Sequence, residues 1–405
     1  MTGDSRSELF FLPSWPPVPD AVLWVSLTIV VAGLIGEFVF RSFRLPRVVG
    51  YAVVGTVVSA FGLGPSDTIL KPSFRLIVDL ALALLLFELG SRISLRWLRT
   101  NPWLLATSLL ESALTFVAVY FTLTFLGAEA RVATAVAAIA VAASPAVAMR
   151  VASEFEASGQ VTERMILLTG LNTFYAVLAT RFVFGWLHAQ HAGIWLGAIA
   201  HPLYLFAGSA VVAALLAYSV SLIARRLDLR NENSALLLLG MILLALSLTK
   251  MANLSTLLVP LLAGVLLRNS SERPWIWPRH FGTAGGALVL MLFVITGSVW
   301  SFDALMAGAG LGLAVIAVRL LAKMLVTVAL ARPSGISFRQ GVALGVALSP
   351  ISGVALVIMA DLQGLYPEFA AELTGIVFSA IAVLELIGPI AVQAALRYVD
   401  EDNIR

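Results

Sequence analysis

The sequence predicts an all-α polytopic membrane protein of about 13 transmembrane helices, built as two inverted six-helix repeats around a linker helix, with crossing broken helices at spans 5 and 12. Three observations carry this reading. The 405 residues are 60% hydrophobic and 12% charged, with a mean hydropathy of +0.96, too apolar for a water-soluble domain of this length. Long apolar runs are separated by short connectors whose basic residues alternate by side. Segments of the two halves also match in order at a nearly constant spacing.

Residues 1–20 carry Trp15 and four prolines but no basic start before an apolar core, which predicts an interfacial segment and not a cleaved leader. A spanning helix needs about 20 apolar residues. The runs that supply them are 21–41, 47–62, 73–91, 102–127, 130–150 and 164–187, then 195–223, then 233–250, 253–267, 281–300, 304–331, 338–361 and 368–397, with a short tail at 398–405. Assigning connectors alternately gives one side eighteen basic residues, among them Arg41, Arg44, Arg47, Arg92, Arg96, Arg99, Arg150, Arg164, Arg332, Arg339 and Arg397. The other side receives Arg6, Lys71, Arg75, Arg131 and Lys250. Cytoplasmic loops are the basic ones, so the N-terminus is expected outside and the C-terminus in the cytoplasm, in a cell inner membrane.

The formal net charge of +3 follows from this topology and calls for no nucleic-acid partner. The chain has no cysteine, which removes disulfides, thiolate chemistry and cysteine metal sites. His188, His191, His201 and His280 fall near span ends, so no cofactor and no metal beyond an alkali cation is expected. Neither is an enzyme's catalytic constellation.

The repeat rests on three pairs of segments. VVGYAVVGTVV (48–58) parallels LLVPLLAGVLL (257–267), LLFELGS (85–91) parallels MLFVITGS (291–298), and AASPAVAM (142–149) parallels ALSPISGVAL (347–356), at spacings of 205 to 209 residues. Spans 1–6 then correspond to spans 8–13. Six spans plus one linker make an odd number, so the second copy enters the membrane upside down. Proline inside a helix removes a donor and clashes with the carbonyl four residues back, so breaks are expected at Ser144-Pro145 and Ser349-Pro350. Unwound backbone at bilayer depth is tolerated where protein or a wet cavity surrounds it, and corresponding interruptions in two halves point to a transporter's binding site.

These residues resemble the monovalent cation/proton antiporter superfamily, which includes sodium/proton exchangers. LALALLLFELGSRISLRWLR (80–99) is similar to that family's third span and basic loop, AVRLLAKML (317–325) to its basic eleventh span, ALSPISGVALVI (347–358) to its broken twelfth, and ELIGPIAVQ (385–393) to the ending of several members. The resemblance covers about residues 25–395 and implies a homodimer. It makes 21–91 and 233–300 a dimerisation scaffold and 102–187 and 304–397 a mobile core, joined by the linker helix. It also implies exchange of Na+, K+ or Li+ for protons by an elevator motion.

The family pattern places Asn-Asp or Asp-Asp in span 6, Thr-Asp-Pro at the span 5 break and, in one branch, a preceding Glu. In this sequence those positions read Asn172-Thr173, Ser144-Pro145 and Leu168. The carboxylates that would hold a hard cation are absent. Thr169, Asn172, Thr173, Ser144, Ser349 and Ser352 remain as the expected ion-binding set.

Arg319 and Lys323 share one face of span 11 at i, i+4 and need compensation in the bilayer. Glu111, near the repeat equivalent of Arg319, is the first expected partner, paired to Arg319. Glu88 and Glu385 are read as the other intramembrane acids. Lys250 is read as an interfacial anchor, and Arg181 as facing the outer vestibule. If protons are exchanged, the titrating group is Glu111, Glu88, Glu385 or Lys323. The expectation is a sodium- or potassium-for-proton antiporter with a carboxylate-poor centre. An anion or neutral-solute transporter on the same fold, and a non-transporting sensor or partner subunit with a separately encoded partner, stand as alternatives.

Overall fold

The computed structural model describes residues 21–61, 72–192, 195–224, 232–270, 279–299, 302–365 and 370–403. The expected interfacial segment 1–20 and the last two residues of the expected tail lie outside the described residues. Every regular element among the described residues is a helix. In order they are α1 (Ala21–Phe43), α2 (Arg47–Ala60), α3 (Pro72–Arg92), the short α4 (Leu95–Thr100), α5 (Pro102–Phe125), α6 (Ala130–Val141), α7 (Pro145–Glu154) and α8 (Gln160–Ala192). Then follow α9 (Trp195–Ala224), α10 (Glu232–Met251), α11 (Leu258–Ser270), α12 (Arg279–Ser298), α13 (Phe302–Ala329), α14 (Phe338–Ala347), α15 (Gly353–Leu365) and α16 (Ala370–Tyr398).

The chain is a multi-pass membrane protein. Seven stretches among the described residues are long and apolar enough to cross a bilayer, and further apolar helices such as α2, α11 and α15 are shorter. The expected spans overlap these long and short helices, α6–α7 and α14–α15 each falling within one expected run and the short α4 within an expected connector. Leu27, Leu34, Phe121, Leu215 and Leu244 are exposed on the outside of the bundle, as lipid-facing side chains should be.

Two sets of helices pack mainly within themselves. In the first, α2 lies on α12 and α1, and α11 lies on α3 and α9. In the second, α13 lies against α16, α5 and α14, with α6 held between α5 and α8. The sets meet where α9 lies along α8, where α16 touches α2 and where α3 touches α7 and α8. The duplication is visible in the first set, because α2 on α12 and α11 on α3 are the same contact made twice with the halves exchanged. Each depends on a glycine. A Cβ on Gly55 would sit 2.7 Å from the Val294 carbonyl oxygen, and one on Gly264 would overlap the Phe87 carbonyl. Small residues let helix backbones approach this closely.

The helix ends follow from sequence. Pro102 and Pro145 occupy first-turn positions, where a missing N–H costs nothing. Ser337 and Gln340 form a reciprocal capping box on α14. The start of α8 is capped from far away: the Glu401 carboxylate accepts from the Val161 amide at 2.8 Å, the Thr162 amide at 2.7 Å and the Thr162 hydroxyl at 2.8 Å. The backbone holds this tail in place through Ser158 N–H to the Glu401 carbonyl and Asn403 N–H to the Phe155 carbonyl.

Candidate functional site

Both broken helices part at their Ser-Pro sequences. Residues 142–144 separate α6 from α7, and residues 348–352 separate α14 from α15. The two breaks touch. The Ser144 amide donates to the Pro350 carbonyl at 3.0 Å, and the Ser144 and Ser352 hydroxyls share a short hydrogen bond. Ser144 Oγ also accepts from the Val147 amide at 3.3 Å, capping α7. Ser144, Ser349 and Ser352 are all buried.

A broken helix leaves carbonyls without intrahelical partners at the C-terminal end of its first half. Arg319 of α13 supplies the donors. Its guanidinium donates to the Ala140 carbonyl at 2.7 Å, the Ala142 carbonyl at 2.5 Å, the Leu348 carbonyl at 3.2 Å and the Ser349 carbonyl. The side chain is 1% exposed. Its positive charge sits at the negative ends of α6 and α14 together, where a helix dipole favours a cation.

The Glu111–Arg319 pair expected from sequence is therefore not formed. Glu111 pairs with Lys323: Nζ lies 2.6 Å from Oε2, and both side chains are fully buried. The physical reason is division of labour along one helix face. A planar guanidinium with several N–H groups matches a fan of carbonyls, whereas a compact ammonium suits a single carboxylate. Positions equivalent in a repeat need not touch each other.

Glu111 Oε1 is buried without a hydrogen-bond partner. Around it, Ser108, Ser112 and Thr115 of α5 are buried too. Ser112 Oγ donates to Asn172 Oδ1 at 3.1 Å, and Ser108 Oγ donates to the Tyr175 hydroxyl at 3.4 Å. Asn172 Nδ2 is left without a partner. Thr173, at the position where the family pattern has Asp, turns its hydroxyl onto the Thr169 carbonyl at 2.9 Å, a bond a helix offers any threonine. Asn172, Thr173 and Thr169 are all buried.

Other candidates lie elsewhere. Glu88 pairs with Arg92 at 2.9 Å in the wall of a cavity of about 260 Å³ between α3, α7 and α12, which Arg150, Ser153 and Gly286 also line. Glu385 of α16 is buried against Thr296 of α12, with Oε1 unpartnered. Among the described residues no three His, Cys, Asp or Glu side chains gather as a metal site.

Sequence reasoning missed a further acid. Asp79 of α3 is 1% exposed and takes Arg75 at 3.3 Å and Lys250 at 2.8 Å, so Lys250 is an ion-pair partner and not a simple interfacial anchor. Arg75 and Arg181 both reach Asp361 of α15, at 2.6 Å and 2.9 Å. The i, i+4 spacing of Arg75 and Asp79 was the available signal.

Two half-helix pairs thus cross in the buried centre, with one cation holding both sets of carbonyls. The sequence matches the model of the sodium/hydrogen exchanger transmembrane domain over residues 26–398. The chain belongs to the sodium/hydrogen exchanger family. Two solved structures of the sodium/proton antiporter MjNhaP1 from Methanocaldococcus jannaschii share the fold. One, at pH 8, is 19% identical with a TM-score of 0.69, covering 94% of this chain and 95% of that one. The other, from electron microscopy, is 17% identical with a TM-score of 0.75, covering 94% and 97%. No curated protein matches the sequence. The exchanger family and this fold are those of a membrane transporter, and they support cation/proton antiport as its class.

Proposed function

We propose that this exchanger-family chain is a cation/proton antiporter in which the Glu111–Lys323 pair takes the place of the missing aspartates. The observation that carries this is a fully buried carboxylate bound on one oxygen by Lys323 and unpartnered on the other. The pair carries no net charge. A cation taking Oε1 would leave two positive charges on one buried carboxylate. Loss of the Lys323 proton restores neutrality, so one cation enters as one proton leaves. Ser112, Asn172 and Thr173 surround the route as neutral oxygen ligands. Ser144, Ser349 and Ser352 supply hydroxyl and carbonyl oxygens at the crossing.

In this reading α1–α3 and α10–α12 form the scaffold of a homodimer, and α5–α8 and α13–α16 form a core that moves as an elevator, with α9 as linker. The arginine-rich connectors face the cytoplasm of a cell whose inner membrane holds the protein. The substrate is Na+, K+ or Li+.

A second reading is favoured by one observation. Arg319 compensates the C-terminal ends of α6 and α14, while the N-terminal ends of α7 and α15 at the same crossing meet the Ser144 and Ser352 hydroxyls and no acidic side chain among the described residues. Helix N-termini favour anions or polar neutral solutes.

Proton flux in proteoliposomes carrying an internal pH dye, challenged in turn with Na+, K+ and Li+, tests the proposal. Wild type should acidify or alkalinise with at least one cation, and Glu111→Gln should abolish it. Flux unchanged in Glu111→Gln would reject the pair as the exchange site. A silent wild type beside an active Thr173→Asp would show intact machinery turned to another substrate or to sensing, with anion-dependent thermal stabilisation separating those two.

A further inference from the structure

Glu154 closes α7 and Asp361 lies in α15, the second halves of the two broken helices. They are 207 residues apart, the spacing of the repeat itself. Because the second repeat is inverted, the two acids stand at opposite faces of the bundle. Glu154 is on the face of Arg47 and the arginine-rich connectors, and Asp361 is on the face of Arg181 and Lys250.

Each acid reaches from the second helix set to an arginine of the first. Glu154 accepts from the Arg47 guanidinium at 2.7 Å and from the Arg47 backbone amide at 3.1 Å. Asp361 accepts from Arg75 at 2.6 Å. Each arginine is backed by an acid of its own set: Glu37 holds Arg47 at 2.8 Å, and Asp79 holds Arg75 at 3.3 Å. Arg41 on Glu37, and Arg181 and Lys250 on Asp361 and Asp79, are further charged neighbours, and Arg150 lies one turn before Glu154 on α7, near Tyr51. Arg47 is 28% exposed and Arg75 22%, so the pairs are shielded more than surface ion pairs are.

We propose that Glu154 and Asp361 are positioning residues, a matched pair of latches whose balance sets which face of the transporter opens. The proposal rests on the alternating-access reading above. Both latches are closed in this structure, and a core that tilts as it travels parts from the scaffold at one face first, so each open state keeps one latch and breaks the other. The acids come from the moving halves of the broken helices, so the latches report directly on the elements that carry the crossing.

The absence of cysteine makes the test direct. Leu85→Cys places a reporter in the cavity beside Glu88 and Arg92, and Leu257→Cys places one beside Arg181 and Asp361 at the opposite face. Maleimide labelling rates are then measured on purified full-length protein. Glu154→Gln should speed labelling at Leu85→Cys about tenfold and slow it at Leu257→Cys, the size expected for a partly buried ion pair. Asp361→Asn should do the reverse, and the double variant should return both rates toward wild type. Arg47→Gln and Arg75→Gln, which break the same latches from the other side, should reproduce the two patterns if an acid variant fails to fold. Acceleration of the same reporter by both single variants, or no change in either, overturns the proposal. Opposed labelling together with absent cation flux keeps the latches and rejects only antiport.

Discussion

At the residue scale, the centre is defined by how two cations one helical turn apart are satisfied. Arg319 binds carbonyls and Lys323 binds a carboxylate. A lone buried charge is far more costly than a buried pair, and removing both partners often costs less than removing one. Lys323→Met should therefore destabilise the protein by about 3 kcal/mol or more. Lys323→Met combined with Glu111→Gln should be more stable than Lys323→Met alone, with a coupling of about 1–3 kcal/mol. Thermal unfolding in detergent of the two singles and the double measures it; strict additivity would mean the ion pair contributes nothing. This arrangement was only partly legible in sequence. The need to neutralise span 11 follows from composition, but the choice between Arg319 and Lys323 depends on where α5, α6, α13 and α14 converge, which no local pattern encodes.

Elements were more legible. Proline acts through its own missing donor, so Ser144-Pro145 and Ser349-Pro350 were legible as breaks, the second with an unwound stretch that runs on to Ser352; it was their match across the repeat that marked them, because Pro202 and Pro389 sit inside the continuous helices α9 and α16. The cap on α8 was illegible for the opposite reason. Its donors are at Val161 and Thr162, and its acceptor is Glu401, some 240 positions away. An N-terminal cap of this kind is worth about 0.5–2 kcal/mol, and α8 carries Thr169, Asn172 and Thr173. Glu401→Ala should raise hydrogen exchange at the Val161 and Thr162 amides while leaving the middle of α8 protected. Equal loss of protection along the whole helix would show that the tail holds more than the first turn.

On the scale of the whole molecule, periodicity and charge bias settle the helical membrane class because bilayer thickness imposes one length on every span. Ion pairs such as Arg75 with Asp361 stayed hidden, since their partners are 286 residues apart and each alone reads as a loop charge. The orientation inferred from the arginines is open to direct measurement. Ser158 and Glu129 are exposed on connectors at opposite faces. In intact cells a membrane-impermeant maleimide should label Glu129→Cys and leave Ser158→Cys unlabelled until lysis; the reverse pattern would invert the topology.

The Ser144–Ser352 contact also bears on biosynthesis. Its partners are 208 residues apart, so at about 5–20 residues per second the first break is made roughly 10–40 seconds before the second exists. Arg319 comes almost as late. During that interval the exposed backbone at Ala142 and Ser144 has neither its guanidinium nor its opposite strand of unwound chain. The nascent first half therefore needs a polar refuge, in the insertion machinery or at the headgroup layer, until the second half arrives to claim it.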